Sequence, residues 1–230
     1  MKSIHHTTMI SELTEIGDRV YIGPHCTIGF PGYQLTNVKQ GLVNSKTIIG
    51  DDTVILGNSI ICEGSEISNN CRFDYHSFVG ENARIGSFCV VEYGARIYDT
   101  VIIGDYSNIS GFISNRCIVG KGSIVQGQLL HKFKNVRPLE VEVSPSVGDN
   151  CFIGRNALII GPIHVADGTY VAAGSVVVQS TEQNKLYIGI PAKELGDAPK
   201  AYVNGNIEHN TLTNAALYEH LYRYTSTRRK

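Results

Sequence analysis

From Ile49 to Ile109 one position in every six is large and apolar: Ile49, Ile55, Ile61, Ile67, Phe73, Val79, Ile85, Val91, Ile97, Ile103 and Ile109. Four places after each stands a small or β-branched residue, running from Thr53, Ser59 and Ser65 through Cys71, Ser77, Ala83, Cys89, Ala95 and Val101 to Ser107. A helix wants apolar residues three and four apart, and an amphipathic strand alternates in twos. A period of six sustained this long fits neither. It fits a chain that makes a short strand, turns a corner and makes another. Three such flats close a triangular coil of about eighteen residues, and coils stack roughly 4.8 Å apart. One large residue per flat fills the prism, a small one leaves room at the corner, and each coil satisfies its neighbours' backbone groups. The predicted class is all-β, a parallel β-helix.

The same period opens the chain at Ile10, Ile16, Ile22 and Ile28, with Thr14, Val20 and Cys26 at the small position. Turn formers without a period then predict a loop at about 30–46. After Ile109 the next large residues are Ile113, Val119 and Val125, a step of four in place of six, which predicts a distorted corner. The count from Val125 reaches His131, and a second loop follows at about 132–146. The repeat resumes at Val147, Ile153, Ile159, Val165, Val171 and Val177 and closes in Tyr187 to Leu195. Residues 1–195 therefore read as one β-helix domain with two extruded loops. Residues 196–230 read as an extension with a helix over about Thr211 to Tyr224, where Leu212, Ala216, Leu217 and Leu221 share a stripe.

A formal net charge of −1 offers no electrostatic attraction to nucleic acid or an anionic membrane. No stretch reaches eighteen unbroken apolar residues, and the N-terminus lacks the apolar core of a signal peptide, so a soluble cytoplasmic protein is expected. The six cysteines suggest neither a disulfide framework nor a metal site: five occupy the small hexad position, and Cys62 follows a large one.

The closing stretch SVGDNCFIGRNALIIGPIHVADGTYVAAGSVVVQS, followed by GIPAK, resembles the hexapeptide-repeat acyltransferases, most closely the sugar and xenobiotic O- and N-acetyltransferases. Many of those have Trp where Phe152 stands. The resemblance covers about Ile10 to Leu195. It implies a left-handed coil, against the usual right-handed crossover rule, a homotrimer, and an acyl-CoA site in the cleft between neighbouring prisms, with acetyl-CoA the expected donor.

Acyl transfer from a thioester needs a base for the attacking nucleophile, a donor for the oxyanion and two aligned substrates. His131, where the prism wall opens into the second loop, is the first candidate base, with Glu140, Glu142 or a backbone carbonyl as the acceptor that orients its ring. His76 is the alternative, clustered with Asp74 and Tyr75 on one corner, while His25 and His164 read as structural or exposed. A pantetheine arm needs small side chains along its path, for which Ala157, Gly161, Ala172, Ala173 and Gly174 are candidates. Its phosphates want cations, for which Arg155, Lys185 and Lys193 are candidates, Lys193 through the GIPAK resemblance. Tyr33 and Phe133 are candidates to stack on the base of a nucleotide-linked sugar, beside the cations Lys132, Lys134 and Arg137. The expected reaction is acetylation of an amino or hydroxyl group of a sugar. A xenobiotic or secondary-metabolite acceptor, a non-catalytic scaffold and a zinc hydrolyase are the alternatives. The last needs three converging His, two closely spaced, and His25, His76, His131 and His164 include no such pair.

Overall fold

The computed structural model describes residues 2–32, 45–132 and 143–199. The helix expected over Thr211 to Tyr224 lies outside the described residues.

Short strands stack into three sheets, of eleven, nine and eight strands among the described residues. Up to Val177 every third strand joins the same sheet, so each sheet is one face of a prism. The ladders are parallel, and Ile55, Phe73 and Val91 stand directly above one another, one coil apart. The expected large residues from Ile22 to Val177 are the core, none more than 2% exposed. Each contributes roughly 1.5–3 kcal/mol by leaving water. Ile4, Ile10 and Ile16, in the first coil, are only partly buried because among the described residues no coil lies beneath them.

One corner shows how the backbone is locked. Where a flat of the third sheet gives way to one of the first, an Asp or Asn side chain of one coil accepts the N–H of the coil below. Asp18 N donates to Asp51 Oδ1 at 2.7 Å, Asp51 N to Asn69 Oδ1 at 2.9 Å, and Ser87 N to Asp105 Oδ1 at 2.7 Å. The ladder runs on through Lys121 N to Asp149 Oδ1 and Asp149 N to Asp167 Oδ1.

The step of four after Ile109 is a corner two residues shorter than its neighbours. Ile97 pairs with Ile113, and Ile109 with Val125, at spacings of sixteen residues. A second short corner lies directly above it. Val125 is followed in the core by Leu129, which pairs with Ile113 and is fully buried. This corrects the expectation that the period runs to His131. The large inward position is Leu129, and His131 falls just past the end of the strand Gln128–Leu130, partly buried.

Both loops leave from the same edge, between the second and third sheets. The first follows the strand Thr27–Phe30 and returns at Thr47–Ile49; the second follows Gln128–Leu130 and returns at Ser146–Val147. The base of the first is pinned by Gly32 N donating to Glu81 Oε1 at 2.7 Å. The stretch Tyr187 to Leu195 adds no further coil. Lys185–Gly189 extends the first sheet beside Tyr170–Val171, and Ala192–Asp197 folds back on it antiparallel. Among the described residues no helix is long and apolar enough to cross a membrane.

Candidate active site

His131 stands where the second sheet ends and the second loop begins. Its Nε2 lies 2.8 Å from the Asn115 carbonyl oxygen and 3.0 Å from Ser144 Oγ, and Ser144 Oγ itself donates to the same carbonyl at 2.7 Å. A carbonyl only accepts, so Nε2 carries the proton. The lone pair of the neutral ring is then on Nδ1, the atom a base would use. Asn115 belongs to the coil below and Ser144 to the returning end of the loop, so two separate segments hold the ring. Of the three orienting acceptors weighed from the sequence, the backbone carbonyl is the one seen at Nε2. Glu140 and Glu142 lie outside the described residues.

The ring borders a groove of about 490 Å³ that is walled by Tyr98, Phe112, Ser114, Leu130 and Ile160. Tyr98 packs between Phe78 and Phe112, with ring centroids 5.4 and 4.9 Å away. The wall is mostly apolar, with the imidazole among its few polar groups.

On the other edge of the same sheet the two short corners leave a notch of about 310 Å³. Full-length corners at Gly94 below and Asn156 above overhang it. Arg96, Ser110, Gln126 and Gln128 line it, and Phe112 is shared with the His131 groove.

The other sequence candidates fall in three places. His76, Asp74 and Tyr75 occupy the edge between the first and second sheets, below the notch. His76 has φ +61° and meets Tyr93 edge-on at 5.4 Å; Asp74 Oδ1 accepts the Tyr75 N–H at 2.7 Å. Arg155, Ala172, Ala173 and Gly174 occupy the same edge above the notch, where Gly174 N donates to the Arg155 carbonyl at 2.9 Å. Ala173 and Gly174 are exposed, and Gly174 takes φ +69° with open space where a side chain would be. The remaining candidates are occupied otherwise. Ala157 is fully buried, its side chain spent on the core. Gly161 packs against Pro145, and Lys185 holds Asp197 at 2.9 Å and Glu194 at 3.5 Å. Lys193 is exposed on the closing hairpin, His25 is an exposed corner residue, and His164 Nδ1 lies 2.9 Å from Ser146 Oγ. Tyr33, Phe133, Lys134 and Arg137 lie outside the described residues. No group of three or more His, Cys, Asp or Glu among the described residues is placed to hold a metal ion.

Sequence reasoning missed Asn115 and Ser144, which carry no motif. It also missed the notch, for which a signal existed. Ile109-Ser-Gly-Phe-Ile113 and Val125-Gln-Gly-Gln-Leu129 are the same five-residue pattern, apolar, polar, Gly, any, apolar, sixteen residues apart.

Comparison with known proteins agrees with this architecture. Residues 144–179 match the family described as bacterial transferase hexapeptide (six repeats), and residues 2–92 match the one described as GMPPB C-terminal domain. The chain is a hexapeptide-repeat β-helix. Other hexapeptide-repeat proteins resemble it over most of its length. It is 29% identical over 175 residues to the bifunctional protein GlmU of Listeria monocytogenes, covering 67% of this chain and 37% of that one. With GlmU of Clostridium botulinum it shares 29% over 217 residues, 81% of this chain and 43% of that one. The chain thus spans about two fifths of the length of these relatives. Among solved structures, UDP-N-acetylglucosamine O-acyltransferase (LpxA) from Moraxella catarrhalis shares the fold with TM-score 0.60 at 20% identity, covering 86% of this chain and 76% of that one. LpxA from Bacteroides fragilis does so with TM-score 0.52 at 15% identity, covering 84% and 74%.

Proposed function

We propose that this hexapeptide-repeat protein is an acyl-CoA-dependent acyltransferase that acetylates an amino or hydroxyl group of a sugar, nucleotide-linked or a polysaccharide precursor, with His131 as general base. The observation that carries the reading is the imidazole held by the Asn115 carbonyl at the rim of a groove, with Nδ1 as its basic atom. A ring oriented through one nitrogen takes the acceptor's proton at the other as the nucleophile attacks the thioester, and returns it to the leaving thiolate. LpxA of Moraxella catarrhalis is a UDP-N-acetylglucosamine O-acyltransferase, and its likeness in fold supports the choice of a sugar acceptor.

In this reading acetyl-CoA runs along the edge that bears Arg155, Ala172, Ala173 and Gly174, with Lys193 near its phosphates, and Asp74 and Tyr75 lie toward the acceptor. The enzyme works in the cytoplasm as a homotrimer, and the cleft between neighbouring prisms completes each site.

Calorimetric titration with acetyl-CoA beside free CoA tests the donor, and turnover of His131→Ala tests the base. We expect saturable acetyl-CoA binding with about one site per chain, and a fall in turnover of about 10²–10⁴-fold in the variant with donor affinity unchanged. Unaltered turnover would remove His131 from the mechanism. Failure of a folded protein to bind either thioester or free CoA would remove the transferase reading itself.

A further inference from the structure

We propose that the notch made by the two short corners is a subsite for the phosphate of a phosphorylated sugar, the anionic end of the acceptor; the choice of acceptor rests on the transferase reading above.

Five of the eight lining residues carry polar side chains. Arg96 is a cation, Gln126, Gln128 and Asn156 are amides, Ser110 is a hydroxyl, and no carboxylate is among them. Among the described residues nothing donates to or accepts from these five side chains, so their polar tips are unspent. Two other arginines are spent on a neighbouring coil, Arg19 on Asp52 and Arg84 on Glu66. A guanidinium fork matches phosphate oxygens two at a time. Amides offer a donor and an acceptor each, the match for vicinal sugar hydroxyls.

Position supplies the second argument. Arg96, Phe112 and Gln128 form one outward column of the second sheet, in register across two ladders. His131 lies three residues beyond Gln128, about 10 Å along the same face at the usual strand rise. That is the reach of one sugar ring and its phosphate. Phe112, shared by both cavities, is the platform between them for the ring's apolar face. A ligand anchored at Arg96 therefore presents its far hydroxyl or amine at the imidazole.

The test is calorimetric titration of the full chain and of Arg96→Gln and Gln128→Leu with N-acetylglucosamine 1-phosphate, N-acetylglucosamine, inorganic phosphate and acetyl-CoA. Thermal melts establish that both variants fold. Wild type should bind the 1-phosphate at least tenfold more tightly than either the neutral sugar or phosphate alone. Arg96→Gln should lose about tenfold or more for the 1-phosphate and nothing for acetyl-CoA, with Gln128→Leu losing less. The proposal is overturned if Arg96→Gln binds the 1-phosphate like wild type, or if inorganic phosphate alone binds as well as the sugar phosphate. It is also overturned if the loss falls on acetyl-CoA, which would put the notch on the donor's path. Binding of acetyl-CoA without the 1-phosphate sinks the subsite and spares the transferase reading. Arg96-dependent binding of the 1-phosphate without acetyl-CoA does the reverse.

Discussion

The small inward position of each hexad does more than avoid a clash. Ser65 Oγ donates to the Gly80 carbonyl at 2.7 Å, Ser107 Oγ to that of Gly120 at 2.9 Å, and Ser123 Oγ to that of Gly148 at 2.8 Å. Cys71, Cys89 and Cys151 make the same bond through sulfur, to Gly86, Gly104 and Ala166 at 3.0–3.2 Å. Each side chain satisfies a carbonyl at a corner that the ladder leaves behind, which is why Ser, Thr and Cys outnumber Ala there. Ser65→Ala should cost about 1–2 kcal/mol, and Ser65→Cys should recover most of it, checked by urea unfolding. Volume at this position was legible in the sequence, because a period-six count reads size. The bond was not, because it joins residues one coil apart whose pairing depends on the register. The site divides the same way. His131 could be picked out as a polar residue at a loop mouth, but its partners Asn115 and Ser144 are ordinary residues made special only by stacking.

At the scale of the element, the short corners decide where the prism is not convex. Gly111 lies beneath Gly127, and a Cβ on Gly111 would run into the Gly127 carbonyl oxygen. The upper glycine is equally confined, beneath the Ala157 carbonyl. We expect Gly111→Ala to destabilise the fold by about 2–4 kcal/mol, seen as a lower thermal midpoint, since the obstacle is backbone and cannot turn aside. Gly94→Ala, at a full-length corner with open space around it, should cost only the strain of its φ of +67°, about 1 kcal/mol. The first short corner was readable as a slip of four. The second was hidden because counting six from Val125 lands on His131, and the polar misfit there reads as chemistry when it is partly a shifted register.

For the whole molecule, packing and chemistry meet in the cysteines. All six are free and buried. Burial pushes the Cys62 and Cys151 thiols up to about 12 and the Cys117 thiol up to about 11. An unfolded thiol ionises near its ordinary value of 9.0, so above that pH the unfolded chain gives up protons that the folded one keeps. Stability from this source is fully present below about pH 9 and is lost as pH rises toward 12. Urea midpoints at pH 7, 8.5 and 10 should be level over the first two and fall at the third, and Cys151→Ser should flatten that fall. Native protein at pH 8 should take up no iodoacetamide, and denatured protein six equivalents. Apart from the second short corner, the prism itself was legible because one period governs it. The closing hairpin was not, since Lys185–Gly189 and Ala192–Asp197 leave that period and pair by their own register.

The carbonyl that aligns His131 belongs to Asn115, one coil below the loop mouth, on a wall whose shape the hexads dictate. Its aim is thus written partly in the wall: the hexads that keep the prism together also set the angle of the ring, so a substitution that tilts the coil of Asn115 would turn the imidazole without touching it.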